Sequence, residues 1–264
     1  MAIISPDDVR VHLPGTRMAQ YLAAWGTTAQ QNRAIREAID SAEAELQRQL
    51  RLRFAPTVIK CYPDDGLVEG TDYDATEQPY DYYAAQWQHW SWMALRWGPV
   101  QSVERVRITV GEQYKLATID AQHIRIADDS RSIAIVPTPG AAFTTILIQT
   151  SGLVAPFMFG MVGHEMVPGT LAVDYTAGIA NAESSDRWAD LRRLVSLKAA
   201  QDVLLSLGDA LEAGVGAVSL SGDGLSESRQ LTKFQDRILA LQARIDPLLR
   251  LFEATQTSIP LVSV

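Results

Sequence analysis

Apolar residues follow two different rhythms along this chain. Over Ala29–Phe54, and again beyond Trp188, they return every three or four residues, as on one face of a helix. Between Thr57 and Tyr175 they return every second residue, as on a half-buried strand. In the first helical stretch Ile35, Ala38, Ile39, Ala42, Leu46 and Leu50 make a narrow stripe. Arg33, Arg36, Glu37, Asp40, Glu43, Arg48 and Arg51 fill the remainder, as a solvated face or as a contact with another copy of the chain. Thr28 with Gln31 fits a capping box at its start. Ser5-Pro6-Asp7-Asp8 predicts a shorter helix before it, ended by Pro14-Gly15.

The stretch Leu171–Glu212 organises the rest. Thr170, Val173 and Tyr175 favour a strand, Gly178 supplies a turn, and Ser184, Ser185 and Asp186 lead into a long helix. That helix carries two apolar rows, one with Leu197, Ala200, Leu204, Leu207 and Leu211, the other with Trp188, Leu191, Val195, Ala199 and Val203. Two apolar sides predict a helix covered from two directions. Further on, Gly214–Gly224 reads as a Gly/Ser linker or hairpin, and Leu225–Phe252 as a helix interrupted by Pro247.

The middle of the chain predicts strands at Thr57–Tyr62, Val103–Val110, Tyr114–Ile119, His123–Ala127, Ser132–Val136, Thr144–Gln149 and Thr170–Tyr175. Short turns at Gly111, Asp128-Asp129 and Pro139-Gly140 imply antiparallel pairing rather than βαβ units. Pro63–Trp97, rich in Asp, Tyr and Trp, and the Met-rich Gly152–Gly169 read as long interruptions. Apolar loops of the second kind suggest burial against a partner.

With 264 residues, 47% of them hydrophobic and 20% charged, the chain has ample length for a buried core and the balance of an ordinary globular protein. A net charge of −8 argues against a surface that wraps nucleic acid by neutralising phosphates. The single cysteine, Cys61, makes no intrachain disulfide. MAIISPDDVRVHLPG lacks the basic and apolar regions of a signal peptide, and no apolar run is long enough to span a membrane.

Catalytic signals are sparse. Asp64, Asp65, Asp72 and Asp74 offer carboxylates for acid/base work or for a hard cation, without the ladder of a calcium loop. His12, His89, His123 and His164 lie at no metal-ligand spacing, and no Gly-x-Ser-x-Gly occurs. Gly222-Asp223-Gly224-Leu225-Ser226 lacks the lysine of a phosphate loop. Trp87, Trp90 and Trp92 offer either a stacking platform for sugars or the packing of a contact loop.

The string AVDYTAG, the polar loop after it, and the helix ending in Leu-Ser-Leu-Gly-Asp resemble the head–tail connector (adaptor) proteins of tailed bacteriophages. NRAIREAIDSAEAELQRQLRLRF is similar to that family's first long helix, and SLSGDGLSESRQ to a Gly-Leu-Ser loop of its larger members. The resemblance implies a structural virion protein without catalysis or cofactor, assembled in the host cytoplasm and located in the neck. It implies a dodecameric ring, about a dozen copies of the chain, docked under the portal protein. Double-stranded DNA would pass through the lumen unbound, and neck or tail proteins would attach on the far side, with no membrane involved. An acidic lumen suits this, because repulsion from all sides keeps a duplex mobile.

The expected fold class is therefore α+β: a helical connector core with long helices near both ends and an inserted antiparallel β-sheet or small barrel. Expected boundaries are 1–56 and 177–255 for the helical parts, 57–176 for the insertion and 256–264 for a tail. The tail residues Ile259, Leu261, Val262 and Val264 are candidate portal contacts. Trp87, Trp90, Trp92, Phe157, Phe159 and Met161 are candidate contacts with a neighbouring subunit or tail protein. The alternatives are a β-rich carbohydrate-binding module of a virion or surface structure, and a carboxylate-dependent hydrolase.

Overall fold

A computed structural model describes residues 3–13, 22, 26–83, 92–110, 114–127, 130–135, 166–183, 185–214, 221–222, 225–226 and 234–257. The chain divides into two compact units: Met1–Leu50 with Asn181–Thr255, and Arg51–Ala180 with Gln256–Val264.

The first unit is helical. Helix α1 (Pro6–Arg10) opens with a full capping box, in which Ser5 Oγ accepts from the Asp8 amide and the Asp8 carboxylate accepts from the Ser5 amide. Helix α2 (Thr28–Leu50) is capped one residue earlier than the sequence suggests. Gln30 Oε1 accepts from the Thr27 amide at 2.8 Å, and Thr27 Oγ1 accepts from the Gln30 amide. Thr27/Gln30 and Thr28/Gln31 both satisfy the motif; Gly26, with φ +93°, turns the chain so that Thr27 takes the cap. The buried stripe Ile35, Ile39, Ala42, Leu46 and Leu50 then packs α2 onto helix α3 (Ala189–Gly214).

Both apolar rows of α3 are buried over its described side chains. Leu191, Leu194, Val195, Leu197, Ala199, Ala200, Val203, Leu204 and Leu207 are all essentially inaccessible. Each buried leucine or valine of this kind contributes about 1.5–3 kcal/mol. A 3-10 turn at Asp186–Trp188 precedes the helix, and Ser185 caps that turn without a side-chain hydrogen bond. Helix α4 (Gln235–Thr257) differs. Among its described side chains only Leu241 and Ile245 are buried, and polar bonds hold much of it in place. Gln201 Nε2 donates to Gln242 Oε1 (2.9 Å), Arg237 Nη2 to the His12 carbonyl (3.2 Å), and Gln49 Nε2 to Glu253 (3.2 Å).

The second unit is built on strand β9 (Met166–Ala177). Along one edge β9 pairs antiparallel with β5 (Val100–Val110), which pairs in turn with β6 (Tyr114–Asp120). Along its other edge it pairs with β1 (Thr57–Lys60) near Tyr175 and with β3 (Tyr80–Tyr83) near Leu171. The short strand β2 (Ala75–Thr76) lies parallel to β1 and completes six strands. A second, antiparallel sheet has the order β4 (Trp92–Ala94), β8 (Ser132–Ile135), β7 (Ile124–Ile126).

One core joins strands of both sheets, including Ile59, Leu95, Val103, Val106, Ile108, Ile133, Leu171, Val173 and Tyr175. Strict alternation would not put Val103 and Val106 on the same side. A register shift between Val103 and Arg105 inserts the extra residue that does so. β10 (Ser221–Gly222) and β11 (Leu225–Ser226) form a separate hairpin pair.

This arrangement overturns the expected fold class. The chain is mixed α and β, with one packed pair of long helices, α2 and α3, and a six-stranded sheet as its largest element. It is not a helical core with long helices near both ends carrying an insertion. The cause lies in α4, which starts at Gln235 rather than Leu225 and buries too few residues to form a second such pair. Nor is the main sheet purely antiparallel, since β1 and β2 run parallel, and among the described residues the strand path is open. The stretch Pro63–Trp97, read as an interruption, contains β2, β3 and β4. Pro247 lies inside a continuous α4. The expected strand at Thr144–Gln149 lies outside the described residues.

Candidate functional site

The acidic residues singled out in the sequence do not converge. Asp64 accepts from Arg105 Nη2 at 2.5 Å, and that hydrogen bond holds its carboxyl below the usual carboxylate range. Asp72 Oδ2 accepts from the Val68 amide (2.8 Å), and Asp74 Oδ2 from the Val58 amide (2.6 Å). These are turn-closing and loop-fastening bonds, in which each carboxylate satisfies a local donor. Among the described residues no group of three His, Cys, Asp or Glu side chains is arranged to hold a metal ion.

The most concentrated electrostatics in the sheet unit centre on Asp174, Arg105 and Arg107, charged residues inside strands. Asp174 is fully buried on β9, directly opposite Arg105 of β5. Its carboxylate accepts from Arg105 Nε (2.7 Å), from Arg107 Nη2 (2.9 and 3.0 Å) and from the Cys61 amide (2.9 Å). Arg107, also buried, donates to the carbonyls of Cys61 and Tyr62 as well. A second cluster joins Glu77 to the hydroxyls of Tyr80 and Tyr175, with Arg96 beside it. Burial raises the Glu77 carboxyl, against those hydrogen bonds and Arg96.

Both clusters satisfy groups that the sheet has taken out of water, and Asp174 is a case of a buried charge retained by pairing. A charged residue within each strand pattern was the available signal: Asp174 in AVDYT, and Arg105 and Arg107 in VERVRI.

Cys61, beside this network, is chemically quiet. Burial, reinforced by the Asp174 charge, pushes its thiol up to about 12. Thiolate is the reactive form, so alkylation of the native protein at pH 8 should be about a thousandfold slower than for a free thiol. Urea should restore the ordinary rate as the sheet unit opens. Rapid labelling without denaturant would contradict this burial.

In the helical unit the notable surface is the outer face of α4. At helical spacing Leu239, Ala240, Ala243, Pro247, Leu251 and Ala254 share one side, and all are exposed, Leu239 by 59% and Leu251 by 51%. Asp236 and Arg250 lie on that side, and Arg244 and Asp246 flank it. A solvent face composed so largely of apolar groups suggests a contact surface. The buried Leu241 and Ile245 lie on the opposite side of the same helix.

The contacts expected from sequence fall elsewhere. Trp92 belongs to β4 by its backbone. Trp87, Trp90, Phe157, Phe159, Met161 and the tail residues Ile259, Leu261, Val262 and Val264 lie outside the described residues. Among the described residues no helix is long and apolar enough to cross a membrane. Compared with known proteins, the chain matches no family model and no curated protein.

Proposed function

We propose that this chain is a structural subunit of a tailed-phage neck: a head–tail connector that works as a ring of identical copies under the portal protein. DNA passes through the ring, and neck or tail proteins attach beyond it. The observation that carries this reading is the apolar outer face of α4, centred on Ala243 between the exposed Leu239 and Leu251. A helix of 23 residues with two buried side chains gains too little from its own unit to account for its apolar composition. A neighbouring copy would cover that face, and a repeated head-to-tail contact closes into a ring. The AVDYTAG strand, its turn at Gly178 and the long helix after it, in that order, support the family resemblance on which the neck location rests.

The test is co-assembly with the portal protein of the same phage, imaged as single particles. Wild-type chain should add a second annulus below the portal. The double variant Leu239→Glu/Leu251→Glu should keep its circular dichroism and lose the annulus. Portal particles that remain bare with wild-type chain, or a variant that assembles normally, would remove the support for this reading.

A further inference from the structure

Where α1 meets α3, the helical unit has an open cleft of about 580 Å³ that the ring reading does not use. One wall is apolar, formed by Ile3, Ile4 and Val11; Val11 is 75% exposed at the edge. The opposite side carries His12, Arg193 and Ser196. Arg192 also lines it, but its Nη1 is committed to the carbonyls of Ala182 and Ser185. Arg193 is exposed, and among the described residues neither a hydrogen bond nor an ion pair fixes its guanidinium.

The tautomer of His12 follows from its neighbour. Ser196 Oγ donates its one hydrogen to the Arg193 carbonyl (2.9 Å), so at 3.1 Å from His12 Nε2 it can only accept. Neutral His12 therefore carries its hydrogen on Nε2, and Nδ1 is where a second proton would go. Four elements present charge to this ring. Arg193 comes from α3, Arg237 and Arg244 from α4, and Asp8 from α1, while Glu183 lines the cleft ahead of α3. Burial first, then Arg244, Arg193 and Arg237, hold His12 below the usual imidazole range, and Asp8 acts in the opposite sense. Arg237 Nε is buried without a hydrogen-bond partner among the described residues. Three arginines, Arg193, Arg237 and Arg244, thus act on His12 against one carboxylate, Asp8.

From this juxtaposition we infer that the cleft is a docking site for an acidic peptide segment of another protein, with one carboxylate directed at Arg193 and the adjacent branched apolar side chain against Ile3, Ile4 and Val11. A guanidinium and a carboxylate make a charge-assisted pair, and the apolar wall supplies the remaining affinity. The chemistry disfavours nucleic acid. A phosphate backbone brings repeated negative charge toward Asp8 and Glu183 at the same cleft, whereas a peptide need bring only one. Binding of the carboxylate would favour the protonated ring, so complex formation takes up a proton.

The experiment uses the full chain and a displayed library of random heptapeptides. Wild-type protein should enrich peptides with Asp or Glu next to Ile, Leu or Val. For one such synthetic peptide, Arg193→Ala/Arg244→Ala should weaken binding about tenfold or more, and Arg193→Lys should recover part of it. Adding that peptide to wild type should raise the His12 titration midpoint seen by NMR. Both arginines are exposed, so their replacement leaves the fold intact. Enriched peptides without a carboxylate, no enrichment, or a short DNA duplex or inorganic phosphate bound as tightly through the same arginines would overturn the assignment. Monomeric protein suffices, so this outcome is independent of ring formation.

Discussion

Replacing Asp174 with asparagine should cost the sheet unit about 3–5 kcal/mol, the usual loss when one member of a buried ion pair is removed. Whole domains are stable by only about 5–15 kcal/mol, so the variant should stand near the edge of folding. The reason is the position of Arg107, whose side chain is only 4% exposed and which loses its buried counterion. Asp64 cannot take over: its carboxylate is half exposed and lies 3.6 Å from Arg107 Nη1. Urea unfolding followed by fluorescence gives the measurement. A control separates charge from shape: Asp174→Leu combined with Arg105→Met and Arg107→Met removes all three charges together and should regain much of the loss. If Asp174→Asn unfolds within 1 kcal/mol of wild type, the buried network is not what holds β5 to β9.

Gly178→Ala should be of similar size for a different cause. The residue has φ +141°, and a Cβ placed on it would lie 2.2 Å from the Ala55 carbonyl oxygen. Backbone strain in this region costs about 1–3 kcal/mol for a side-chain-bearing residue, before any clash is counted. The clash is with main chain, which cannot rotate away as a flexible side chain would. Relief by backbone movement is opposed on three sides. The Gly178 amide donates to the Pro99 carbonyl (2.8 Å), its carbonyl accepts from Gln101 (2.9 Å), and the Ile179 amide donates to the Arg53 carbonyl (3.1 Å). A drop in thermal midpoint of under 2 °C would show that the turn yields more easily than this geometry allows.

Much of the secondary structure was legible because burial follows period. The alternation around Val106, Ile108, Val173 and Tyr175 predicts strands that the structure contains, and the double apolar face of α3 predicts its burial from more than one side. What could not be read was pairing. Nothing local in Ile59 or Ala75 says that their strands run parallel, and the shift at Val103 exists only against its partner strand. The strand at Tyr80–Tyr83 was hidden by its composition: Asp81 interrupts an aromatic run in an acid-rich stretch, although its carboxylate accepts from the Gly169 amide at 2.8 Å.

The helical arrangement failed for a related reason. The helical spacing of Leu225–Phe252 gives the direction of a face, but not how much surface waits to cover it. Leu239 and Leu251 lie on the other side, separated by twelve positions with polar residues between them, so they form no continuous apolar row in the sequence. The charged residues of the sheet were passed over because a lone Asp or Arg in a strand ordinarily faces water. Only the register sets Arg105 opposite Asp174.

The sheet unit is entered and left at the same place, since the Ile179 amide bonds the Arg53 carbonyl. The helical unit is made from Met1–Leu50 and Asn181–Thr255, on either side of those points. Once the sheet has formed it therefore acts as a clasp on the backbone, shortening the gap between the end of α2 at Leu50 and the start of α3 at Ala189 from over a hundred residues to about a dozen. Closing a gap of that length in a free chain costs about 4 kcal/mol of entropy. With the clasp shut, that penalty has already been met, and the two long helices search for one another as if joined by a short loop.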